Sequence, residues 1–191
     1  AFQLECGIAL RQLADFLQVK DILDPQITPA IEHSVAVLTR AVENDPTDVP
    51  RIMALAQPCQ MHAEALQKRE HFNEALTSIE RSILTLNLIL DDDPMNALAN
   101  ESRYFAAVTK AELLTDLVRY EESLKEWDLA LQLAVDSFVD LTAMKRTRTQ
   151  ALSGDFIQAT MRAEEILVQK STGNQPSRHI VSGAARTFAV A

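Results

Sequence analysis

Phe72-Asn73-Glu74-Ala75-Leu76 and, 48 residues later, Tyr120-Glu121-Glu122-Ser123-Leu124 decide the fold. Each stretch sets an aromatic, two polar residues, a small residue and a leucine in the same order. The same shift lays Asp45-Pro46 on Asp93-Pro94, Ala63-Glu64 on Ala111-Glu112, Leu66 on Leu114, Glu32 on Glu80 and Ser34 on Ser82. One register kept with its punctuation marks an internal repeat. Between the breaks, apolar residues recur at helical spacing, as in Leu113, Leu114, Leu117 and Val118, then Leu124, Trp127, Leu131 and Val135. Each repeat is therefore two helices and a turn. A helix pair cannot bury its apolar faces alone, so neighbouring pairs must stack.

Working outward, breaks fall at Asp24-Pro25 and Thr28-Pro29, at Asp45-Pro46-Thr47-Asp48, at Asp91-Asp92-Asp93-Pro94, at Ser153-Gly154-Asp155 and at Ser171-Thr172-Gly173-Asn174. Softer ones lie at Glu70-His71-Phe72 and Arg119-Tyr120. They predict nine helices, near 3–20, 29–44, 49–69, 73–91, 96–118, 121–136, 138–152, 156–170 and 177–190. No segment alternates strictly between flanking turns, so no β-sheet is expected. Pro58 lies inside the third helix and, lacking a backbone N–H, is expected to kink or split it. The fold class is all-α: one domain over 1–191, with repeats of about 1–46, 47–94, 95–136 and 137–172 and a terminal helix at 177–190. The helix from Arg178 to Ala191, with Ile180, Val181, Ala184, Phe188 and Val190, either caps the array or begins a further repeat.

Composition agrees. The 191 residues are 47% hydrophobic and only 5% aromatic, with 4 Gly and 7 Pro. Four glycines are too few for loops that cradle phosphates or for a many-stranded sheet. Gly154 falls in a helix-pair turn and Gly173 in a loop. Gly7 and Gly183 fall inside helices, where small size lets a neighbour approach. A net charge of −9 opposes nucleic acid and anionic membrane surfaces. No apolar run reaches the ~18 residues of a membrane span, and the first residues lack the pattern of a secretory leader. The chain does not open on Met, and a fragment of a longer cytoplasmic chain is expected. Cys6 and Cys59 read as buried small hydrophobes in a reducing compartment; a bridge between them is the alternative.

Chemical motifs are sparse. His33, His62, His71 and His179 show none of the spacings of metal sites, and no metal or cofactor is expected. They read as surface or interface histidines. Within Asp91-Asp92-Asp93 the spacing of a calcium loop is absent, and Asp93 is expected to cap the following helix. Lys145-Arg146-Thr147-Arg148 is a basic run that either pairs with acidic neighbours or ends a binding surface.

On Phe72–Leu76, Tyr120–Leu124 and Gly154-Asp155-Phe156-Ile157-Gln158-Ala159, the chain resembles the tetratricopeptide repeat family. Arg40-Ala41-Val42-Glu43-Asn44-Asp45-Pro46 resembles the close of such a repeat. The family unit is about 34 residues, and the additional 14 or so correspond to about four helical turns shared between two helices. That long form is similar to the repeats that trail the catalytic domain of large bacterial Ser/Thr protein kinases, especially of planctomycete type. Gly154-Asp155-Phe156 through Glu165 and Val181 to Ala191 carry the likeness. Kinase catalysis is not in this segment: it has no Gly-rich phosphate loop, no V-A-I-K lysine and no H-R-D.

The resemblance implies a right-handed superhelical array of antiparallel helix pairs, an α-solenoid, with a concave groove. It places Ala63, Ala111 and Ala159 where helices approach closely. It lines the groove with Gln60, Glu64 and Gln67, then Val108, Glu112 and Thr115, then Met144 and Arg148, with Phe105, Val108 and Met144 for apolar contact. The Lys/Asn set that clamps a peptide carboxylate in some members is missing. Glu64 and Glu112 instead suit a neutral or basic partner. The function implied is protein–protein interaction or scaffolding, not catalysis. The alternatives are a self-associating regulatory module, such as a homodimer, and an enzyme on a helical scaffold.

Overall fold

A computed structural model describes residues 2–20 and 25–171. They form eight helices: α1 (Phe2–Lys20), α2 (Ile27–Asn44), α3 (Val49–Gln67), α4 (Phe72–Leu90), α5 (Ala97–Asp116), α6 (Tyr120–Leu133), α7 (Asp136–Leu152) and α8 (Phe156–Ser171). No strand occurs among the described residues, so the all-α expectation holds. The predicted helix at 177–190, with Gly173, Gly183 and His179, lies outside them. By contact density the chain divides into two compact units, residues 1–109 and 110–191, with the division inside α5.

Several boundaries differ from expectation for identifiable reasons. Thr28-Pro29 does not interrupt α2. It lies in the first turn, where a missing N–H costs nothing. Pro58 neither splits α3, which runs continuously through it, nor leaves the interior. Helix α6 stops at Leu133, and Ala134 turns extended, at ψ 131°. Neither Pro nor Gly announces that stop.

The cap before α5 is a correction. Asn96, not Asp93, caps the helix: its Oδ1 accepts the Ala99 N–H at 3.1 Å. Asp93 instead closes the turn before it, accepting from the Met95 N–H at 3.3 Å and from Asn96 Nδ2 at 3.3 Å. The turn before α3 is built alike. Asp45 Oδ1 accepts from the Thr47 N–H at 3.4 Å, and Asp48 Oδ1 accepts from the Arg51 N–H at 3.1 Å. An Asp that folds the turn and an Asp or Asn three residues on that caps the helix thus recur at a spacing of 48.

The opposite turns repeat as well, and their sequences hide it. Glu70, Val118 and Gly154 sit in the left-handed region, at φ 63°, 61° and 97°. In each turn the residue's own N–H donates three residues back, to Gln67, Thr115 or Ala151. The next N–H donates five back, to Leu66, Leu114 or Gln150. This is a Schellman C-cap, a position that favours glycine. Glycine fills it once. The spacing is 48 residues from 70 to 118 but 36 from 118 to 154, so one period does not run through the chain. Counted from these turns, Ala63 and Ala111 correspond to Thr147, while Ala159 corresponds to Ala75 and Ser123. All six are fully buried where two helices meet.

In residues 1–109, α1 packs on α2, α2 on α3 and α3 on α4, and α1 also reaches α3. Their core joins Ile27, Ile31, Leu38, Ile52, Leu55, Cys59 and Ile89. Gly7 makes the closest approach: a Cβ there would lie 2.4 Å from Leu38 Cγ, and the Gly7 carbonyl accepts the buried Ser34 hydroxyl at 2.8 Å. In residues 110–171, α6 packs on α7 and α7 on α8. Both cysteines are free thiols, so the bridge does not form. Burial, opposed only in part by Arg81, pushes the Cys59 thiol up to about 11 and leaves it unreactive at neutral pH.

Candidate functional site

The partner-facing residues inferred from the sequence fall on α3, α5 and α7. In residues 1–109, Glu64 is exposed and Gln67 half-buried on the last turn of α3. Gln60 is partly spent on structure: its Nε2 donates to the Ser102 carbonyl of α5 at 3.0 Å. Phe105 is 42% exposed and stands edge-on to Tyr104, with centroids 5.0 Å apart. Val108 is half-buried. The structure therefore joins α3 to α5 and leaves a carboxylate and an aromatic face toward solvent.

The set in residues 110–171 changes more. Met144 is a correction: it is 1% exposed and packs with Ala143 and Ile166, so it offers no surface to a partner. Of the large apolar residues of α7, Met144 is the fully buried one, whereas Phe138, Leu141 and Leu152 are half-buried and Val139 is exposed. Thr115 is half-buried and its hydroxyl is already used, against Ser123 Oγ at 2.8 Å, Thr149 Oγ1 at 3.1 Å and the Ala111 carbonyl at 2.9 Å. Glu112 is paired with Lys145 at 2.5 Å, and the same ammonium lies 5.9 Å above the Trp127 ring. Of this set, Arg148 remains exposed. The basic run is thus divided: Lys145 meets Glu112, Arg146 meets Asp128 at 2.6 Å, and Thr147 is buried.

One polar cluster has no counterpart in the sequence reading. His62 of α3 is half-buried where α2 and α4 approach. Its Nδ1 bonds Ser78 Oγ at 2.9 Å, and its Nε2 lies 3.8 Å from Glu32 Oε1. Burial pulls the imidazole below its ordinary 6.5, against the upward pull of Glu32 and Glu74. Carboxylate, imidazole and hydroxyl in that order are the parts of a nucleophile relay. Here Nε2 makes no hydrogen bond, so the carboxylate does not orient the ring. The cluster instead braces α3 on α4. In the next pair the same place is taken by Lys110 and Glu126, 2.9 Å apart and mostly buried. The residues stand eight before and eight after the left-handed turn residue, a relation visible only once that turn is located. His33 and His71 are exposed.

No group of three or more His, Cys, Asp or Glu among the described residues is arranged to hold a metal. No helix among them is long and apolar enough to cross a membrane. The chain matches no protein-family model and no curated protein.

Proposed function

We propose that the chain is an interaction module of tetratricopeptide type, a right-handed superhelical array of helix pairs that docks a neutral or basic partner and carries no catalytic centre of its own. The observation that carries this reading is the turn made three times, at Glu70, Val118 and Gly154, each followed five residues on by a fully buried small residue, Ala75, Ser123 or Ala159. That recurrence supports helix pairs stacked in series, each burying its apolar face on the next. The links from Gln60 to Ser102 and from Glu112 to Lys145 agree, because each joins the first helices of consecutive pairs.

On this reading Glu64, Gln67, Phe105 and Val108 are the partner-facing side chains of residues 1–109, and Arg148 is that of residues 110–171. Glu112 meets a partner only together with Lys145. The cytoplasmic setting and the attachment to a bacterial Ser/Thr kinase belong to the same proposal and follow from the repeat resemblance.

A peptide panel graded from Lys/Arg-rich to Asp/Glu-rich, read by fluorescence anisotropy, tests it. Wild type should prefer the basic end. Glu64→Lys should weaken that preference up to about fivefold, the scale of an exposed charge contact worth up to ~1 kcal/mol, with the melting temperature nearly unchanged. A preference indifferent to Glu64→Lys removes that residue from the site.

Self-association is the second reading, favoured by Phe2, Leu13 and Phe16, which α1 exposes by 81%, 48% and 64%. A light-scattering mass that stays at one chain across concentrations would sink it.

A further inference from the structure

Eight residues before and eight after each left-handed turn residue, the helix pairs place two facing side chains. In the first pair these are His62 and Ser78, hydrogen-bonded at 2.9 Å. In the second they are Lys110 and Glu126, ion-paired at 2.9 Å. The third pair, α7 and α8, breaks the pattern. Its two residues are Arg146 and Arg162, and both line a pocket of about 240 Å³ with Asp128, Leu131, Ala143 and Thr147.

Two guanidiniums cannot complement each other. Each carries five donors and no acceptor. Arg146 gives its Nε to Asp128 Oδ1 at 2.6 Å and its Nη1 to Gln150 Oε1 at 3.2 Å. Those bonds fix its plane without using all its donors. Arg162 gives Nη1 to Glu165 Oε2 at 2.9 Å, in a pair more than half exposed on both sides. Such an exposed pair exchanges readily with another anion. Each guanidinium thus has one carboxylate partner, Asp128 within the pocket and the exposed Glu165 outside its lining, and an incoming anion takes the place of Glu165 on Arg162. Leu131 and Ala143 wall it with apolar surface, which weakens the screening of its field. A volume several times the ~30 Å³ share of one water leaves room for a ligand.

We propose that this pocket binds a phosphate-type oxyanion between Arg146 and Arg162. The planar fork of each guanidinium matches two oxygens of such a group. Asp128 acts as a positioning residue that holds the Arg146 fork in place. The site stands independently of the tetratricopeptide reading.

The test is titration with inorganic phosphate, and separately with O-phosphoserine, at constant ionic strength. Isothermal calorimetry and the Arg Nε–Hε NMR signals are the readouts. Wild type should bind in the millimolar range or tighter and move the signals of Arg146 and Arg162. Arg162→Gln, at a half-exposed position that keeps the fold by circular dichroism, should lose at least tenfold. Asp128→Asn should weaken binding less and broaden the Arg146 signal. Tighter O-phosphoserine binding assigns the site to an esterified phosphate, and tighter inorganic phosphate to the free anion. No response at millimolar phosphate, or one of equal size in Arg162→Gln, overturns the proposal.

Discussion

Residues 1–109 are filled by branched aliphatics, with Ile27, Ile31, Leu38, Ile52 and Leu55 shut away from solvent. Residues 110–171 also bury Leu113, Leu114 and Ile166, but add to them one indole and a chain of hydroxyls. Trp127 Nε1–H donates to Thr149 Oγ1 at 3.0 Å, Thr149 lies 3.1 Å from Thr115, and Ser123 Oγ donates to the Ala111 carbonyl at 2.7 Å. Thr142 and Thr147 are buried beside them, each bonded four residues back. Similar helix pairs are thus held by two chemistries. The first interior answers to volume, since any apolar side chain of the right size fills it. The second answers to completeness, since each buried hydroxyl needs its partner.

The sharpest way to break this contrast is Trp127→Ala. It should cost about 3–5 kcal/mol in urea unfolding, and a loss below ~1 kcal/mol would mean the indole is not the centre of that interior. Thr149→Val comes next. It nearly keeps the shape but strands the indole N–H, which should cost about 1–3 kcal/mol. Ile52→Val in the aliphatic interior should cost only about 0.5–1.5 kcal/mol. Equal costs would erase the distinction.

Val118→Gly should act in the other direction. A β-branched residue in the left-handed region is strained by roughly 1–2 kcal/mol, part of which glycine loses again through its freer unfolded chain. A net gain of about 1 kcal/mol is expected, with the mirror-image loss from Gly154→Ala; no gain would mean Val118 is not strained.

The smallest effect is that of pH at His62. Because burial holds its folded value below 6.5, the unfolded chain binds the proton first. Stability is then complete above about pH 6.5 and declines as pH falls toward the folded value. His62→Gln should flatten that part of a pH–stability curve; an unaltered slope would place its origin elsewhere.

The sequence was most legible where apolar spacing and punctuation agree, as along α2 and α4. The turn at Gly154-Asp155 also reads directly. Glycine takes the left-handed position, and the Asp155 side chain accepts from the Gln158 N–H at 3.4 Å. The same turn at Val118-Arg119 does not, because neither residue is one its geometry favours. Arg119 cannot cap, and clamps Glu122 instead with bonds of 2.7 and 2.6 Å. Helix α7 was the hardest to orient. Threonines make up much of its buried face, so hydrophobic spacing gave no direction, and Met144 was assigned to the surface. On α3 the exposure was easier to read, because Ala63 and Leu66 identify the inward face there and leave Glu64 outward. The arginine pocket was invisible for another reason. Residues 146 and 162 become equivalent to 62 and 78 only when counted from a turn that shifts the period from 48 to 36.

Gly7 against Leu38 bears on how such a molecule reaches one native arrangement. A chain of look-alike helix pairs invites mispairing, with a helix docking beside the wrong neighbour and trapping an off-pathway species. Gly7 is the one glycine inside a described helix, and a Cβ in its place would stand 2.4 Å from Leu38. It forms a notch that a leucine can enter, and every other described helical residue carries a side chain there. Sliding α1 by one position would set Cys6 or Ile8 against Leu38 and separate Ser34 from the carbonyl it bonds. The notch therefore works as a key, rejecting out-of-register partners for α1 while the other helices are still searching for theirs.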